Sequence, residues 1–274
     1  VILFISSDFN SSTTGFSSPS KDALKFGELE SIDQYMLCRM AAVSKDIKRW
    51  YEDFQFHKVY QQLLNFCTVD LSAVYFDVLK DRLYTSAPKA KGRRSAQTAL
   101  WKIGETLTRL LAPLMSFTAD EVWQYMPVLE DREPSVHIAK FMTEAEIAEA
   151  SANEKLTSDW QVVLQSREEV LKALEEARNN KQIGSGLEAK VTIEAPVSMY
   201  PVLERYADQL RFVYIVSGVE LNKSAGSNGM GTLKVSVEKT AGQKCDRCWN
   251  YSKYVGEDKD CPTVCERCSA ALDE

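Results

Sequence analysis

From Ser31 onward, apolar residues recur every three or four positions: Ile32, Met36, Met40, Val43, Ile47, Trp50 and Phe54. That period places them on one stripe of a long amphipathic helix, and Ser31 with Gln34 offers a capping box at its start. A second stripe follows on Tyr60, Leu63, Leu64, Cys67, Leu71, Val74, Tyr75 and Val78. A third runs through Leu100, Ile103, Leu107, Leu110 and Leu111, where Pro113 breaks or kinks the helix. Thr118 with Glu121 caps a short helix carrying Val122, Trp123 and Met126. Helices with one apolar face each must pack on one another, so residues 31–156 are expected to form a helical bundle. Residues 1–30, which open with a short apolar run and continue rich in Ser and Thr with Gly15 and Pro19, read as a linker or the end of an upstream element.

Beyond residue 156 the period changes. One more helix is expected over 158–180, and then Ala189 to Ala195 alternates with the period of a strand. Residues 199–211 are helical again, Phe212 to Val216 is a strand candidate, and Thr232 to Glu238 alternates once more. Residues 157–240 therefore read as a small α/β junction domain, with 241–274 as a separate terminal piece. The predicted architecture is mainly α, a helical bundle followed by a small α/β domain and a cysteine ribbon.

That terminal piece carries the strongest chemical signal. Cys245-Asp-Arg-Cys248 and Cys265-Glu-Arg-Cys268 are two C-x-x-C knuckles, with sixteen residues between Cys248 and Cys265. Each knuckle is a tight turn that points two sulfurs the same way, and the intervening loop is long enough to return. Four thiolates suit one structural Zn²⁺, because zinc prefers soft sulfur ligands and needs no open position here. A redox dithiol needs only one pair and leaves the second unexplained. Cys261, four residues before the third ligand, is a competing thiol, but the two-knuckle set has the better geometry. Trp249 follows a ligand directly, so its ring either packs on the ribbon's small core or stands out for a base to stack on.

Charge adds a second signal. The formal net charge of −6 argues against a protein that coats nucleic acid indiscriminately. Between residues 80 and 109, however, Lys80, Arg82, Lys89, Lys91, Arg93, Arg94, Lys102 and Arg109 face only Asp81 and Glu105. A basic belt on an acidic body suits an anionic partner docked in one place, or else a solvated helix surface. No apolar run approaches the roughly 20 residues that a membrane helix needs. Seven cysteines, four in metal spacing, suit a reducing cytoplasm. Cys38 and Cys67 are expected to be small buried apolar residues.

The search for catalytic machinery returns nothing. The two histidines, His57 and His137, have no nucleophile motif beside them and read as structural or surface residues. No G-x-G-x-x-G, P-loop or G-x-S-x-G occurs. Trp50, Trp101, Trp123 and Trp160 fall at core-facing helical positions.

Taken together, Phe56 to Tyr84, Leu110 to Trp123, Ile183 to Val191, Lys244 to Trp249 and Cys265 to Cys268 closely resemble bacterial isoleucyl-tRNA synthetases, in that family's order. The resemblance implies a C-terminal fragment of a class I ligase that joins isoleucine to tRNA(Ile) with ATP. Its catalytic and editing domains would lie elsewhere in the same polypeptide, and the fragment alone would be inactive. The class I signatures H-I-G-H and K-M-S-K-S do not occur here. The resemblance further implies a cytoplasmic monomer that grips the anticodon stem-loop. Lys80, Arg82, Lys89, Lys91, Arg93 and Arg94 would contact phosphates, while Arg247, Trp249 and Arg267 close over the loop. A free-standing zinc-containing tRNA-binding module is the alternative. Formamidopyrimidine-type DNA glycosylases carry a similar ribbon, but their N-terminal Pro-Glu is missing from the Val1-Ile2 start.

Overall fold

The computed structural model describes residues 16, 18–127, 132–148, 154–224 and 232–273. The chain forms two compact units, Val1–Thr157 and Ser158–Glu274.

In the first unit, helix α1 (Pro19–Asp22) is a single turn. It is followed by α2 (Ser31–Glu52), α3 (Phe56–Asn65), α4 (Phe76–Thr85), α5 (Lys91–Leu111), α6 (Ser116–Tyr125) and α7 (Glu144–Ala148). Helix α2 packs against α3, α5 and α7, and α5 also meets α4 and α6. The expected stripe supplies the core: Ile32, Met36, Met40, Val43 and Ile47 of α2 are buried with Leu100, Ile103, Leu107 and Leu110 of α5. Burial of this kind is worth about 1.5–3 kcal/mol for each fully covered side chain.

Residues 18–30 are not the spacer expected of a linker. Phe16 and Leu29 are buried. The Leu24 amide donates to Thr98 Oγ1 (3.1 Å) and the Glu30 amide to Ser95 Oγ (2.7 Å), fastening the segment onto α5. The rest of the expected linker, residues 1–15 and 17, lies outside the described residues.

Both expected capping boxes are absent. Helix α2 has Glu30 at its N-cap without a side-chain cap bond, and the Gln34 side-chain Nε2 donates back to the Leu29 carbonyl (2.8 Å) instead. Helix α6 starts at Ser116, two residues before Thr118. The second stripe is one continuous helical rod, but over Phe66–Tyr75 its backbone widens to π-helical pairing. The Phe76 amide there reaches the Leu71 carbonyl, five residues back. Trp101, Trp123 and Trp160 are buried as expected, whereas Trp50 is only half-buried, with the Arg49 guanidinium over its ring.

The second unit comprises α8 (Glu154–Asn179), β1 (Ala189–Ala195), α9 (Tyr200–Arg205), α10 (Ala207–Tyr214), β2 (Gly218–Lys223) and β3 (Lys234–Lys239). It ends in the ribbon, with β4 (Gln243–Lys244), β5 (Tyr251–Ser252) and α11 (Glu266–Asp273). Strand β1 is central, parallel to β2 and antiparallel to β3. Its alternate residues Ala189, Val191, Ile193 and Ala195 are all buried. A parallel partner needs a crossover, and α9–α10 supply it. Helix α8 is tied to them: Arg167 Nε donates to the Val213 carbonyl (2.9 Å), Ser166 Oγ lies 2.7 Å from Tyr214 Oη, and Arg205 pairs with Asp159.

The strand expected at Phe212 to Val216 is the end of a helix. Helix α10 runs to Tyr214, and Ile215 turns left-handed (φ 57°). The Val216 amide then reaches the Arg211 carbonyl and the Ile215 amide that of Phe212. That pair of bonds is a Schellman closure, built here on a β-branched residue. The strand begins after it, at Gly218.

The candidate zinc ribbon and basic surface

The cysteines sit on two turns facing each other. In the first, the Trp249 amide donates to the Cys245 carbonyl (2.9 Å) and the Cys245 amide to the Asn250 carbonyl (2.9 Å). Trp249 takes the left-handed conformation that this closure requires (φ 63°). The second knuckle opens α11, whose first turn carries Cys268. Gly242 leads into β4 with φ 107°, where a Cβ would sit 2.4 Å from the Ser252 carbonyl oxygen, so only glycine fits. The Tyr251 amide donates to Ser217 Oγ (2.7 Å), joining the ribbon to the loop after α10.

The sulfurs of Cys245, Cys248, Cys265 and Cys268 all lie within 4.8 Å of one another, and all four residues are buried. Cys248 and Cys265 are 3.6 Å apart, close to the roughly 3.8 Å edge of a tetrahedral zinc–sulfur site. Burial and the nearby sulfur of Cys248 push the Cys265 and Cys268 thiols up. At Cys245 burial acts in the same upward direction, but the amides of Cys248, Cys265 and Arg247 outweigh it and bring the thiol down to about 7. Four crowded sulfurs cannot all ionise without a cation among them, and an all-sulfur donor set fits Zn²⁺. Cys261 stays outside this set, half-buried against the cluster's edge.

Around the cluster, the ribbon's own core consists of the four cysteines with Val255 and Val264. Trp249 is not part of it. The residue is 58% exposed, with Lys244 Nζ 5.4 Å from the ring centroid. Arg247 donates to the Cys268 carbonyl (3.1 Å) and so braces one knuckle against the other. Arg267 lies against the Phe212 ring (5.5 Å).

The basic belt is smaller in space than in sequence. Arg82 is drawn inward. Its Nη1 and Nη2 reach Asp33 Oδ2 (2.9 Å) and Oδ1 (2.8 Å), and the Asp33 side chain is fully buried. Arg94 has a 12% exposed side chain that pairs with Asp22 (3.8 Å) and lies over the Phe16 ring. These two guanidiniums serve the bundle, which corrects their expected place among phosphate contacts. Lys102 and Arg109 are likewise turned to the carbonyls of Glu146 and Lys140. Lys89 and Lys91 are exposed, Lys80 is exposed beside Asp77 (2.9 Å), and Arg93 is half-buried with Nη1 on the Ser86 carbonyl (3.1 Å). His57 and His137 are both exposed.

The structure adds residues that sequence reading missed. Arg211 and Lys253 line the same cleft as Arg267, about 220 Å³ in volume, with Asn250, Tyr251 and Tyr254. Nothing in the sequence joins Arg211 to the ribbon, because the contact forms only when α10 closes against it.

Comparison with known proteins fits this arrangement. Residues 33–193 match the anticodon-binding domain of tRNA ligases, and residues 242–271 match a zinc finger found in FPG and IleRS. An isoleucine–tRNA ligase of Syntrophotalea carbinolica is 42% identical over 93% of this chain, which covers 27% of that relative. The corresponding ligases of Natranaerobius thermophilus and Dichelobacter nodosus are 38% and 41% identical over 93% of the chain, covering 28% and 26% of those proteins. The chain thus spans about a quarter of the length of these relatives. With the helical bundle and the start of the α/β unit both inside the matched region, the chain belongs to the family of tRNA ligase anticodon-binding domains.

Proposed function

We propose that this chain is the tRNA-recognising part of an isoleucine–tRNA ligase, with tRNA(Ile) as its partner. The observation that carries the proposal is the pairing, in one chain, of an anticodon-binding bundle with a four-cysteine ribbon of the kind found in those ligases. ATP-dependent joining of isoleucine to the tRNA would belong to a catalytic part of the same polypeptide. The working division is a bundle over 31–156, a junction domain over 157–240 and a ribbon over 241–274, in a cytoplasmic monomer.

Cys245, Cys248, Cys265 and Cys268 would hold one structural Zn²⁺, which supplies no reaction chemistry and only ties the two knuckles together. Some thirty residues bury too little apolar surface to fold unaided, and the metal bonds make up the difference. The protein's own groups do the recognition. An anticodon loop offers splayed bases, read by stacking and edge contacts, while phosphates supply much of the affinity. Lys80, Lys89, Lys91 and Arg93 suit phosphates from the bundle; Trp249 suits a base, flanked by Arg247 and Arg267. Binding energy gained here orients the acceptor end at a distant reacting centre.

The test is the affinity of the zinc-loaded chain for tRNA(Ile) at fixed salt, beside the same tRNA with an altered anticodon. A tenfold or larger preference for the native anticodon, about 1.4 kcal/mol, is expected. Equal binding to both would leave a module that supplies charge and shape without reading the anticodon.

A further inference from the structure

Along the rod formed by α3, the π-helical stretch and α4, exposed residues fall into two neighbouring rows. Tyr60, Leu64, Thr68 and Ser72 make one, and the other runs from Gln61 through Asn65 and Val69 to Ala73. In an α-helix of 3.6 residues per turn, residues four apart drift about 40° round the axis at each step, so such rows wind away from solvent. The i→i+5 pairing over Phe66–Tyr75 puts more than four residues in each turn and reverses that drift. The widened backbone therefore keeps both rows on one straight face.

That face is neutral. From Val59 to Phe76 the only formal charge is Asp70, whose side chain is 15% exposed and held by Arg39 (3.2 Å). Its hydroxyls have already spent their protons: Thr68 Oγ1 donates to the Leu64 carbonyl and Ser72 Oγ to the Cys67 carbonyl, both at 2.8 Å. Covering them strands no donor. Gln61 and Asn65, one turn apart, make no side-chain hydrogen bond among the described residues, and each amide both donates and accepts. A protein partner finds little to anchor on, because Leu64 and Val69 stand among small side chains and interfaces are centred on packed aromatic or large apolar groups. The face matches instead the minor groove of an A-form RNA stem, which is wide, shallow and lined by 2′-hydroxyls and base edges. Phosphates border such a groove, and Lys58 stands exposed at the start of the rod, with no ion pair among the described residues.

We propose that the neutral face of this rod docks in the minor groove of an RNA stem, with Gln61 and Asn65 bonding its 2′-hydroxyls. The assignment rests on the tRNA-binding reading above and adds to it a contact with the stem. It gives the π-helical stretch a purpose, since an unbroken α-helix would carry half of the face round the rod.

The experiment measures binding of the zinc-loaded chain to the tRNA(Ile) anticodon stem-loop across a range of salt concentrations. The stem is either all ribose or 2′-O-methylated, which keeps it A-form and caps the hydroxyls, and the loop is unchanged. Wild type is compared with Gln61→Ala and Asn65→Ala, and Gln161→Ala, on the exposed face of α8, is the control. Melting temperature is measured for each variant, so that a misfolded protein is not scored. Methylation of the stem is expected to weaken wild-type binding about tenfold, several hydrogen bonds at once. Gln61→Ala and Asn65→Ala should each weaken binding to the ribose stem about threefold, with the salt slope unchanged because no phosphate contact is lost. On the methylated stem both should bind as wild type does, since the partner hydroxyls are already capped. Gln161→Ala should match wild type on both stems. Equal wild-type affinity for the two stems, or variants that match wild type on the ribose stem, would overturn the groove assignment and leave the tRNA reading standing. A fall in salt slope in either variant would make the face a phosphate site and overturn it as well. If wild type binds neither stem-loop, the tRNA reading falls and this assignment with it. Sedimentation is run in parallel, and self-association that Asn65→Ala abolishes would give the face to a second copy of the chain instead.

Discussion

At the scale of single residues, the bundle turns on a buried carboxylate. Asp33, itself out of solvent, accepts from the largely buried Arg82 on both oxygens, from Tyr75 Oη (2.8 Å) and from Ser95 Oγ. Burial and the adjacent Asp33 charge hold the Tyr75 phenol well above its ordinary range. Removing one partner of such a set strands the others, which costs about 3–5 kcal/mol. Asp33→Ala should lose that much in urea denaturation, far more than the exposed Lys80–Asp77 pair, where Lys80→Ala should cost under about 1 kcal/mol. Tyr214 gives a different signal. Burial pushes its phenol up to about 12, against an unfolded value of 10.0. The folded form therefore keeps a proton that the unfolded chain releases. Its contribution is fully present below pH 10 and disappears as pH rises toward 12. That amounts to about 2–3 kcal/mol, and denaturation series at pH 9, 10, 11 and 12 should show the loss. Tyr214→Phe should remove this part of the slope, leaving what the other tyrosines raised by burial contribute, Tyr75 and Tyr51 (pushed up to about 12) among them.

At the scale of elements, periodicity and spacing carried different amounts of information. The stripe of α2, the alternation of β1 and the two C-x-x-C knuckles were legible because each follows from backbone geometry alone. Helix ends were not. Three helices close by Schellman pairing on Phe54, Lys181 and Ile215, all left-handed and none a glycine or asparagine. Without the usual residue at that position, Phe212 to Val216 looks like a strand, whereas the end of α8, expected at 180, falls at Asn179. The π-helical stretch was hidden for a related reason, since one widened rod keeps an apolar stripe compatible with ordinary helix. Arg82 and Arg94 were misplaced because charge counts say nothing about Asp33 and Asp22, 49 and 72 positions away in sequence. The left-handed caps are testable. Lys181 is exposed, so Lys181→Gly relieves about 1–2 kcal/mol of backbone strain and gives back part of it as unfolded-state entropy. A net gain of about 0.5 kcal/mol in denaturation midpoint analysis is expected, where a mid-helix Lys172→Gly should instead lose about 1 kcal/mol.

At the scale of the whole molecule, two different means of stabilisation meet in one chain. The bundle rests on apolar helix faces and a buried ion network, whereas the ribbon's core is four thiols and two valines. Six side chains of that size bury too little to offset the ordering of thirty residues, so the ribbon's fold should follow metal occupancy. A strong chelator should then remove amide-exchange protection at Cys245 and Trp249, whose hydrogen bonds close the first knuckle. The amides of α2 and α5 should stay protected, because nothing in their packing refers to the metal. Asp33→Ala should do the reverse, speeding exchange in α2 and α5 while zinc stays bound with unchanged stoichiometry. Residues that share no partner add their effects, so the double perturbation should equal the sum within about 0.5 kcal/mol. Loss of protection in α5 on chelation alone would mean that the bundle depends on the metal, contrary to its separate core. Anticodon discrimination gives the functional counterpart. If the ribbon reads bases and the bundle holds phosphates, chelation should erase the preference between native and altered anticodons. A residual, salt-sensitive affinity carried by Lys80, Lys89, Lys91 and Arg93 should remain.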